Sequence, residues 1–384
     1  LHRLIRRQRQ MCIRDSVHVD PKAIIRTLSV AQQEMVAIGK TIFQKAKLVI
    51  FDEPTALLTN DETQQLFQMI KQLKNSGVGI LYVSHRMEEI FSICDRASVL
   101  KDGALVGTVP IDQTTQDQLI SMMVGRNVEN MYQIQHQAPG ETILKVDNIS
   151  RGKAFSNISF EVRKGEIFGM FGLVGSGRTE IVRSIFGADV KDGGTVTLHG
   201  KQADYVKPTQ GIKAGIALLP ENRRAQGLAL GLSVSDNINM VAQNKISRFG
   251  VVNNQESVKI AKSFCDKLRI KTPSVYQRVK NLSGGNQQKV VISKWLEQDS
   301  DLFIFDEPTV GVDVGAKLEI YKIFETLIKE GKTIIMISSY LPEVMGLADR
   351  ILIMYEGQQT GILSRDEFQE ERILRLASGI KGKE

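Results

Sequence analysis

The sequence of 384 residues has no apolar run that approaches the ~18 residues needed to cross a bilayer, and it has no signal-peptide pattern. It contains only three cysteines, which form neither a CxxC pair nor an even framework. A disulfide scaffold and a cysteine-based zinc or redox site are therefore not predicted, and a reduced, cytosolic setting is favoured.

A concentrated positive charge is also absent. The net charge is +7, but residues 1–16 contain five arginines and one aspartate, which leaves only +3 for the other 368 residues. A charge this small and this dispersed does not predict nucleic-acid binding. Residues 1–16 have no counterpart elsewhere in the chain and no apolar periodicity, so we interpret them as a non-native leader. The alternative is a native basic arm.

What the sequence does contain is one series of motifs that occurs twice, 254 residues apart. Leu28-Ser29 recurs as Leu282-Ser283, and the segment 51–55 (FDEPT) recurs as 305–309. The further pairs with this offset are Glu89 and Glu343, Asp95-Arg96 and Asp349-Arg350, Gly103 and Gly357, and Gly125 and Gly379. A register kept without a gap from 28 to 125 predicts a tandem duplication of one domain.

The duplication predicts the domain boundaries. The second copy carries a glycine-rich loop at Gly172, whereas the position 254 residues earlier falls before residue 1. We therefore expect 17–126 to be the C-terminal half of a first domain, 127–140 to be a short linker, and 141–384 to be a complete domain. Because the first half would lack part of its core, we expect it to be marginally stable or to aggregate.

Short apolar runs alternate with amphipathic segments in both copies, which predicts a mostly parallel sheet with crossover helices. The apolar runs are 48–51, 79–83, 97–100, 167–171, 302–305 and 333–338. Apolar and polar residues alternate in 142–146 and 159–162, as in half-buried strands. The region 200–280 is richer in helical and loop patterns, which predicts a separate helical subdomain.

The glycine-rich loop GLVGSGRT, residues 172–179, follows a predicted strand and precedes a helical run, which is the context of a phosphate-binding loop. Its glycines let successive backbone N–H groups turn toward a phosphate, and the helix N-terminus adds partial positive charge. Thr179 supplies the hydroxyl expected on Mg²⁺. Arg178 stands where the pattern has lysine, and its planar guanidinium is bulkier than an ammonium group.

Two acidic residues end a strand-like run in each copy, Asp52-Glu53 in the first and Asp306-Glu307 in the second. The first carboxylate of such a pair can hold Mg²⁺ through water, and the second can polarise an attacking water.

A second candidate anion site is LSGGNQQK, residues 282–289, just before a helical run. Ser283, Gly284 and Gly285 would lie at the helix start, where backbone N–H groups can bind a phosphate. Two such helix ends in one domain make sense if the second contacts a nucleotide held by the other copy.

In this order and spacing, the motifs resemble the Walker A, signature and Walker B motifs of ABC-type ATPase domains. With the duplicated layout and GVDVGAK at 311–317, they look like the tandem ATPase subunit of bacterial monosaccharide importers of the ribose, galactose and xylose group. The resemblance covers essentially all of 17–384. It implies an α/β fold of tandem P-loop NTPase domains of ABC type, with a mostly parallel sheet core, an antiparallel β subdomain and a helical subdomain, the first copy being partial.

The resemblance also implies that the two copies pack head to tail and share two nucleotide sites. The first site would combine Asp52, Glu53 and His85 with Ser283, Gly284 and Gly285. The second would combine Gly172, Gly175, Ser176, Gly177, Arg178, Thr179, Glu221, Asp306 and Glu307 with Ser29. The implied catalytic residues are Glu53, His85 and Glu307, and the implied Mg²⁺ ligands are Thr179, Asp306 and Asp52.

The second site departs from the family pattern at several positions. Arg178 replaces lysine, Val30-Ala31 replace two glycines, Ser339 stands at the position equivalent to His85, and Glu221 occupies the usual glutamine position. A Cβ in place of glycine blocks close approach to a phosphate, and the missing histidine removes a contact to the γ-phosphate. We therefore expect the second site to bind nucleotide and to turn over slowly.

The function that the resemblance implies is an ATPase that couples ATP and Mg²⁺ to monosaccharide import. Its expected partners are multi-span permease subunits and, indirectly, a periplasmic sugar-binding protein, with no nucleic acid. The chain would lie peripherally on the cytoplasmic face of the inner membrane, held there by the permease. The alternatives are a non-catalytic nucleotide-binding fragment and a tandem ABC ATPase that acts on ribosomes or nucleic acid. Proteins of the last class usually have a long charged linker and intact Walker lysines.

Overall fold

The chain divides into two compact units, Leu1–Val128 and Glu129–Glu384. A computed structural model describes residues 23–28, 32–33, 36–37, 40, 46–55, 58, 60–84, 86–101, 103–124, 134, 136, 138, 140–173, 175–312 and 314–380. None of the helices within these ranges combines the length and the apolar character needed to cross a membrane.

Among its described residues, the first unit contains two separate two-stranded sheets and the helices that pack on them. Its elements in chain order are a 3₁₀ turn (Ile25–Thr27), β1 (Leu48–Asp52), α1 (Asn60–Asn75), β2 (Gly79–Val83), α2 (Met87–Ile93), β3 (Arg96–Lys101), β4 (Ala104–Pro110), a 3₁₀ turn (Ile111–Gln113) and α3 (Gln116–Val124). Strands β1 and β2 pair in parallel, and β3 and β4 pair antiparallel. Alternate residues of β1 are buried against the apolar face of α1, whose core residues recur three or four positions apart.

The second unit contains a six-stranded sheet, a four-stranded antiparallel sheet and a helical region. Its elements in chain order are β5 (Thr142–Arg151), β6 (Phe155–Arg163), β7 (Ile167–Gly172), α4 (Arg178–Phe186), β8 (Gly193–Leu198), β9 (Lys201–Gln202), α5 (Pro208–Lys213), β10 (Ile216–Leu219), a π-helical turn (Arg223–Gly227), α6 (Val234–Asn239), α7 (Gln243–Ile246), β11 (Ser247–Arg248), β12 (Val251–Val252), α8 (Asn254–Lys267), a 3₁₀ turn (Val279–Asn281), α9 (Gly284–Gln298), β13 (Leu302–Asp306), α10 (Val314–Lys329), β14 (Thr333–Ile337), α11 (Leu341–Leu347), β15 (Arg350–Tyr355), β16 (Gln358–Ser364), a 3₁₀ turn (Arg365–Glu367) and α12 (Glu370–Ala377).

The six-stranded sheet forms the core of this unit, in the order β10-β13-β14-β7-β15-β16. Neighbouring strands pair in parallel except β15 and β16, which pair antiparallel at one edge. Every residue of β7, β13 and β14 is buried, as expected for the central strands of a parallel sheet that is covered on both faces. The continuous apolar runs of the second copy correspond to these strands, so the predicted parallel sheet is confirmed there. In the first unit, 48–51 and 79–83 pair in parallel as predicted, but 97–100 lies in β3, which pairs antiparallel with β4.

The antiparallel sheet has the order β6-β5-β8-β9. Buried and exposed residues alternate along β6, as the period-two pattern predicts for a strand with one covered face. The predicted antiparallel β subdomain is therefore present.

The predicted helical subdomain at 200–280 needs a correction. Strand β10 lies inside that range but pairs in parallel with β13, so it belongs to the core sheet. Its four residues are all buried, and a run this short shows no periodicity that separates a strand from a helix. The helical region therefore begins after β10, with the turn Arg223–Gly227.

Candidate functional site

Three neighbouring parallel strands of the core sheet, β7, β13 and β14, end along the same edge. The glycine-rich loop begins at Gly172, the last residue of β7, while Asp306 ends β13 and Ser338 follows β14. Ligands of open parallel sheets bind at the carboxyl ends of the strands. The fold thus brings the predicted loop and the predicted acids of the second copy to one place.

The loop has a conformation that its glycines permit. Gly175 and Gly177 have φ angles of +82° and +93°, in the left-handed region. A Cβ at Gly177 would lie 2.5 Å from the carbonyl oxygen of Ala154, so no larger residue fits without a backbone shift. Helix α4 starts at the next residue, and the Ser176 hydroxyl is buried without a hydrogen-bond partner in the described part of the chain. The backbone is therefore shaped to surround an anion at a helix N-terminus.

Asp306 has the environment expected of a carboxylate that faces a metal ion. It is 2% exposed and hydrogen-bonds to Thr179, but its Oδ1 atom has no partner among the described residues. Burial raises the pKa of Asp306 to about 6, and the Thr179 hydrogen bond opposes that shift. Since buried polar atoms are nearly always satisfied, this free oxygen beside a hydroxyl fits the water shell of Mg²⁺.

Arg178 lies among the same strand ends. Its Nη1 atom donates to the carbonyl oxygen of Ser338 at 3.0 Å and lies 3.8 Å from Oε1 of Glu307. Burial lowers the pKa of Arg178, while Glu307 and Asp306 oppose the shift. The guanidinium therefore supplies positive charge next to both acids, while one of its donors is held by a backbone carbonyl.

Glu307 follows Asp306 in a left-handed conformation, with φ +49°. Its N–H donates to the carbonyl oxygen of Ile337 at 3.0 Å, and its Oε2 accepts from the hydroxyl of Ser339 at 3.2 Å. Burial raises the pKa of Glu307 to about 7, while Arg178 acts in the opposite direction. Left-handed non-glycine residues are uncommon and often lie at functional sites, which agrees with a chemical role here.

The first unit repeats this backbone geometry, although its two acids, Asp52 and Glu53, are exposed. Asp52 ends β1, and Glu53 has φ +47° with its N–H donating to the carbonyl oxygen of Val83 at 2.9 Å. His85, the other residue predicted in this site, lies outside the described residues. Ser29 of the second site lies outside them as well. The predicted sharing of each site between the two copies therefore stays a prediction.

Glu221 is exposed two residues after β10, and it contributes to the raised pKa of Asp306. Arg223, two residues after Glu221, was not predicted as a site residue. Its guanidinium donates to the carbonyl oxygens of Val310 at 2.8 Å and Gly311 at 3.0 Å. No sequence motif marks Arg223, and its nearness to Glu221 in the chain was the only available signal.

The signature segment forms the start of α9. Ser283 is the N-cap residue but makes no side-chain cap, because its hydroxyl accepts from Nδ2 of Asn286 at 2.9 Å. Helix α9 begins at Gly284, and Gly285 is buried in its first turn. The first-turn N–H groups are thus free of side-chain capping by Ser283, as an anion-binding helix end requires.

Two buried glutamates were noticed in the sequence only as markers of the repeat. Glu343 accepts hydrogen bonds from the hydroxyls of Tyr321, Ser338 and Thr309. Its counterpart Glu89 accepts from Tyr82, Ser84 and Thr55. Glu343 thus joins the loop at Thr309 to Ser338, the residue that follows β14. In the first copy, Glu89 joins Thr55 to Ser84 in the same way.

The family is identified by sequence. The ABC transporter family model matches residues 155–310. A ribose/galactose/methyl galactoside import ATP-binding protein of Geobacillus kaustophilus is 44% identical over 376 residues, which are 98% of this chain and 75% of that protein. The chain belongs to the ABC transporter ATP-binding proteins. Another similar member is a ribose import ATP-binding protein of Clostridium tetani, 45% identical over 93% of this chain and 71% of its own length.

Solved structures of ABC transporter ATP-binding cassettes share the fold. One cassette in its ADP conformation has a TM-score of 0.51 and 22% identity, and the match covers 62% of this chain and 95% of that chain. A dimeric cassette in a post-hydrolysis state has a TM-score of 0.52 and 20% identity over 59% of this chain and 100% of that one. The predicted α/β fold of ABC type is therefore confirmed.

Proposed function

We propose that this ABC transporter protein is the ATP-hydrolysing, energy-coupling subunit of an importer for monosaccharides of the ribose and galactose type. The names of its relatives support this assignment. The observation that carries it is the meeting of the phosphate loop, the buried Asp306 and Glu307 at one sheet edge.

The side chains at this edge have distinct roles in the proposal. The loop N–H groups and Arg178 bind the phosphates of ATP, and the Thr179 hydroxyl and Asp306 would hold Mg²⁺, which neutralises phosphate charge. Glu307, with its pKa raised to about 7, can accept a proton from the attacking water near neutral pH.

Turnover at the second site is slow in this proposal. The hydroxyl of Ser339 bonds to Glu307, so a hydroxyl stands where an imidazole would reach the γ-phosphate. One donor of Arg178 is already engaged by the carbonyl oxygen of Ser338, which leaves fewer of its N–H groups to contact a phosphate. The site therefore holds nucleotide longer than a site with lysine and histidine.

The subunit acts at a membrane through other proteins. It docks on permease subunits that span the membrane and receive the sugar from a periplasmic binding protein, and it lies peripherally on the cytoplasmic face. ATP binding brings the two copies together, hydrolysis lets them separate, and this motion changes the access of the permease. Recovery of the chain with ribosomes or nucleic acid in place of a permease would favour the competing tandem ABC class.

Nucleotide binding is tested by titrating a fluorescent ATP analogue with and without Mg²⁺. Thr179→Val removes the hydroxyl beside Asp306, and we expect it to weaken Mg²⁺-dependent binding about tenfold or more. Thr326→Val is the matched control, because Thr326 is exposed on α10 and its hydroxyl donates to the carbonyl oxygen of Lys322 one turn earlier. Equal affinities of the two variants would contradict the assigned site.

A further inference from the structure

Arg223 links the turn after Glu221 to the loop after Glu307. It is the first residue of the π-helical turn Arg223–Gly227, and its two terminal nitrogens donate to the carbonyl oxygens of Val310 and Gly311. One planar group with two fixed donors sets the distance and the orientation between the two segments. Movement of the loop at 310–311 relative to this turn therefore requires the guanidinium to follow or both hydrogen bonds to break.

The signature helix packs against the same guanidinium. A Cβ at Gly284 would lie 2.8 Å from Nη2 of Arg223 and 2.9 Å from the carbonyl oxygen of Gly311. Only glycine allows the first turn of α9 to approach both groups this closely. A shift of Arg223 is therefore transmitted directly to the start of the signature helix.

The other end of the π-helical turn is tied to α9 by a second contact. The Nζ atom of Lys294 donates to the carbonyl oxygen of Gly227 at 2.6 Å, and both residues are buried. The turn is thus attached to the loop at 310–311 through Arg223 and to the middle of α9 through Gly227. These hydrogen bonds join the loop at 310–311 to the middle of α9 through the turn Arg223–Gly227.

We propose that Arg223 is a positioning residue that couples nucleotide at the loop 172–179 to the start of α9, including Ser283 and Gly284. The inference rests on the proposed function, since it requires nucleotide to bind beside Asp306 and Glu307. Movement of the loop after Glu307 displaces the guanidinium, which in turn repositions the signature segment. Arg223 touches no phosphate itself and acts through the segments that it joins.

The test measures two quantities in the full chain, the affinity for a fluorescent ATP analogue with Mg²⁺ and the hydrogen exchange of peptides that cover 283–292. In the wild type we expect bound nucleotide to slow exchange in these peptides about fivefold or more, within the usual range of coupling between sites. Arg223→Met should retain nucleotide affinity within about threefold and lose most of this slowing. Arg224→Met is the matched control, because Arg224 is exposed one residue farther along and should leave the response unchanged.

Arg223→Lys separates the geometry from the charge. An ammonium group cannot donate to both carbonyls in one plane, so we expect this variant to lose the response as Arg223→Met does. A full response in either Arg223 variant would overturn the proposal, as would a similar loss in Arg224→Met. Thermal unfolding followed by the fluorescence of Trp295, the sole tryptophan, verifies that each variant is folded at the temperature of the exchange experiment.

The experiment distinguishes failure of the proposed nucleotide binding from failure of the proposed coupling. If the wild type binds no nucleotide, the proposed function is wrong and the coupling fails with it. If the wild type binds nucleotide but exchange at 283–292 does not change, the coupling alone is overturned. If an Arg223 variant loses nucleotide affinity to the same extent as it loses the slowing of exchange at 283–292, Arg223 supports nucleotide binding itself, and the proposed coupling is overturned.

Discussion

Lys294 carries a buried charge in the helix that follows the signature segment. Its Nζ donates to the carbonyl oxygen of Gly227, and burial alone lowers its pKa to about 8. Because the unfolded chain holds the proton more tightly than the folded chain, the stability that depends on Lys294 is lost as the pH falls through 8. It is recovered at alkaline pH, where the amine is neutral in both states.

The lowered pKa of Lys294 predicts that the free energy of unfolding increases with pH. Between pH 7 and pH 10 we expect the wild type to gain on the order of 2 kcal/mol of unfolding free energy relative to Lys294→Met. Urea unfolding at the two pH values, followed by circular dichroism, measures the difference. Lys322→Met changes an exposed lysine of α10 and keeps Lys294, so it should show the same gain between pH 7 and pH 10 as the wild type. The same pH dependence in Lys294→Met as in the wild type would contradict the buried charge.

Residue types in a motif were predictable, while their contacts were not. The sequence indicated that Arg178 replaces a lysine and that Ser339 stands at the position of His85. It did not indicate that the guanidinium reaches the carbonyl of Ser338, because this contact depends on how β7 and β14 pair. Long-range pairing of strands is what a motif pattern leaves open.

At the scale of elements, the two copies hold their buried glutamates with different tyrosines. Tyr321 on α10 donates to Glu343, whereas Tyr82 on β2 donates to Glu89. The position equivalent to Tyr321 in the first copy is Phe67, and the position equivalent to Tyr82 in the second is Met336. The tyrosine that donates to the buried glutamate thus lies on a helix in one copy and on a strand in the other. Because the hydrogen bond is present in both copies, we infer that it stabilises the packing of these elements.

Removing this carboxylate should loosen the second unit. Glu343→Ala leaves three hydroxyls around a cavity, and we expect a loss of about 3 kcal/mol or more, whereas Tyr321→Phe should cost about 1 kcal/mol. Urea unfolding followed by Trp295 fluorescence provides the measurement. Glu330→Ala, at an exposed ion pair with Lys267, is the control and should change stability little. An equally small effect of Glu343→Ala would exclude the structural role.

Long periodic elements were predictable and short ones were not. An amphipathic segment was predicted between the apolar runs 48–51 and 79–83, and α1 occupies that interval as a helix of 16 residues, Asn60–Asn75. Strand β10 has four residues, which carry too little periodicity, and its membership of the sheet depends on pairing with β13. The π-helical turn Arg223–Gly227 has no sequence signature, although its Arg223 donates to the carbonyl oxygens of Val310 and Gly311.

At the scale of the whole molecule, the constant offset predicted a second copy of the same strands, but their environments differ. In the second unit β7 lies between β14 and β15, so six strands form one sheet. In the described part of the first unit no strand joins β2 to β3, and two separate sheets result. The sequence could not show how the copies face each other, because residues in such a contact need not follow any period along the chain.

The unjoined sheet of the first unit leaves apolar side chains in water. Ile50 is 62% exposed, whereas its equivalent Ile304 is 0% exposed, and Leu81 is 52% exposed against 0% for Ile335. Exposed apolar residues on neighbouring strands form a patch of the kind that promotes aggregation. We therefore expect the first unit to bind an apolar dye and to unfold separately from the second.

A matched pair of substitutions tests this difference. Ile50→Thr should lower dye binding and aggregation and change stability by less than about 1 kcal/mol, because its side chain is already in water. Ile304→Thr, the same change 254 residues later, should cost the second unit about 3 kcal/mol, since it introduces a hydroxyl into a filled core. Trp295 lies in the second unit, so its fluorescence during urea unfolding follows that unit, circular dichroism follows both units, and light scattering on heating reports aggregation. If Ile50→Thr destabilises the chain as much as Ile304→Thr does, the exposed face of β1 is covered in solution, and the two units unfold as one.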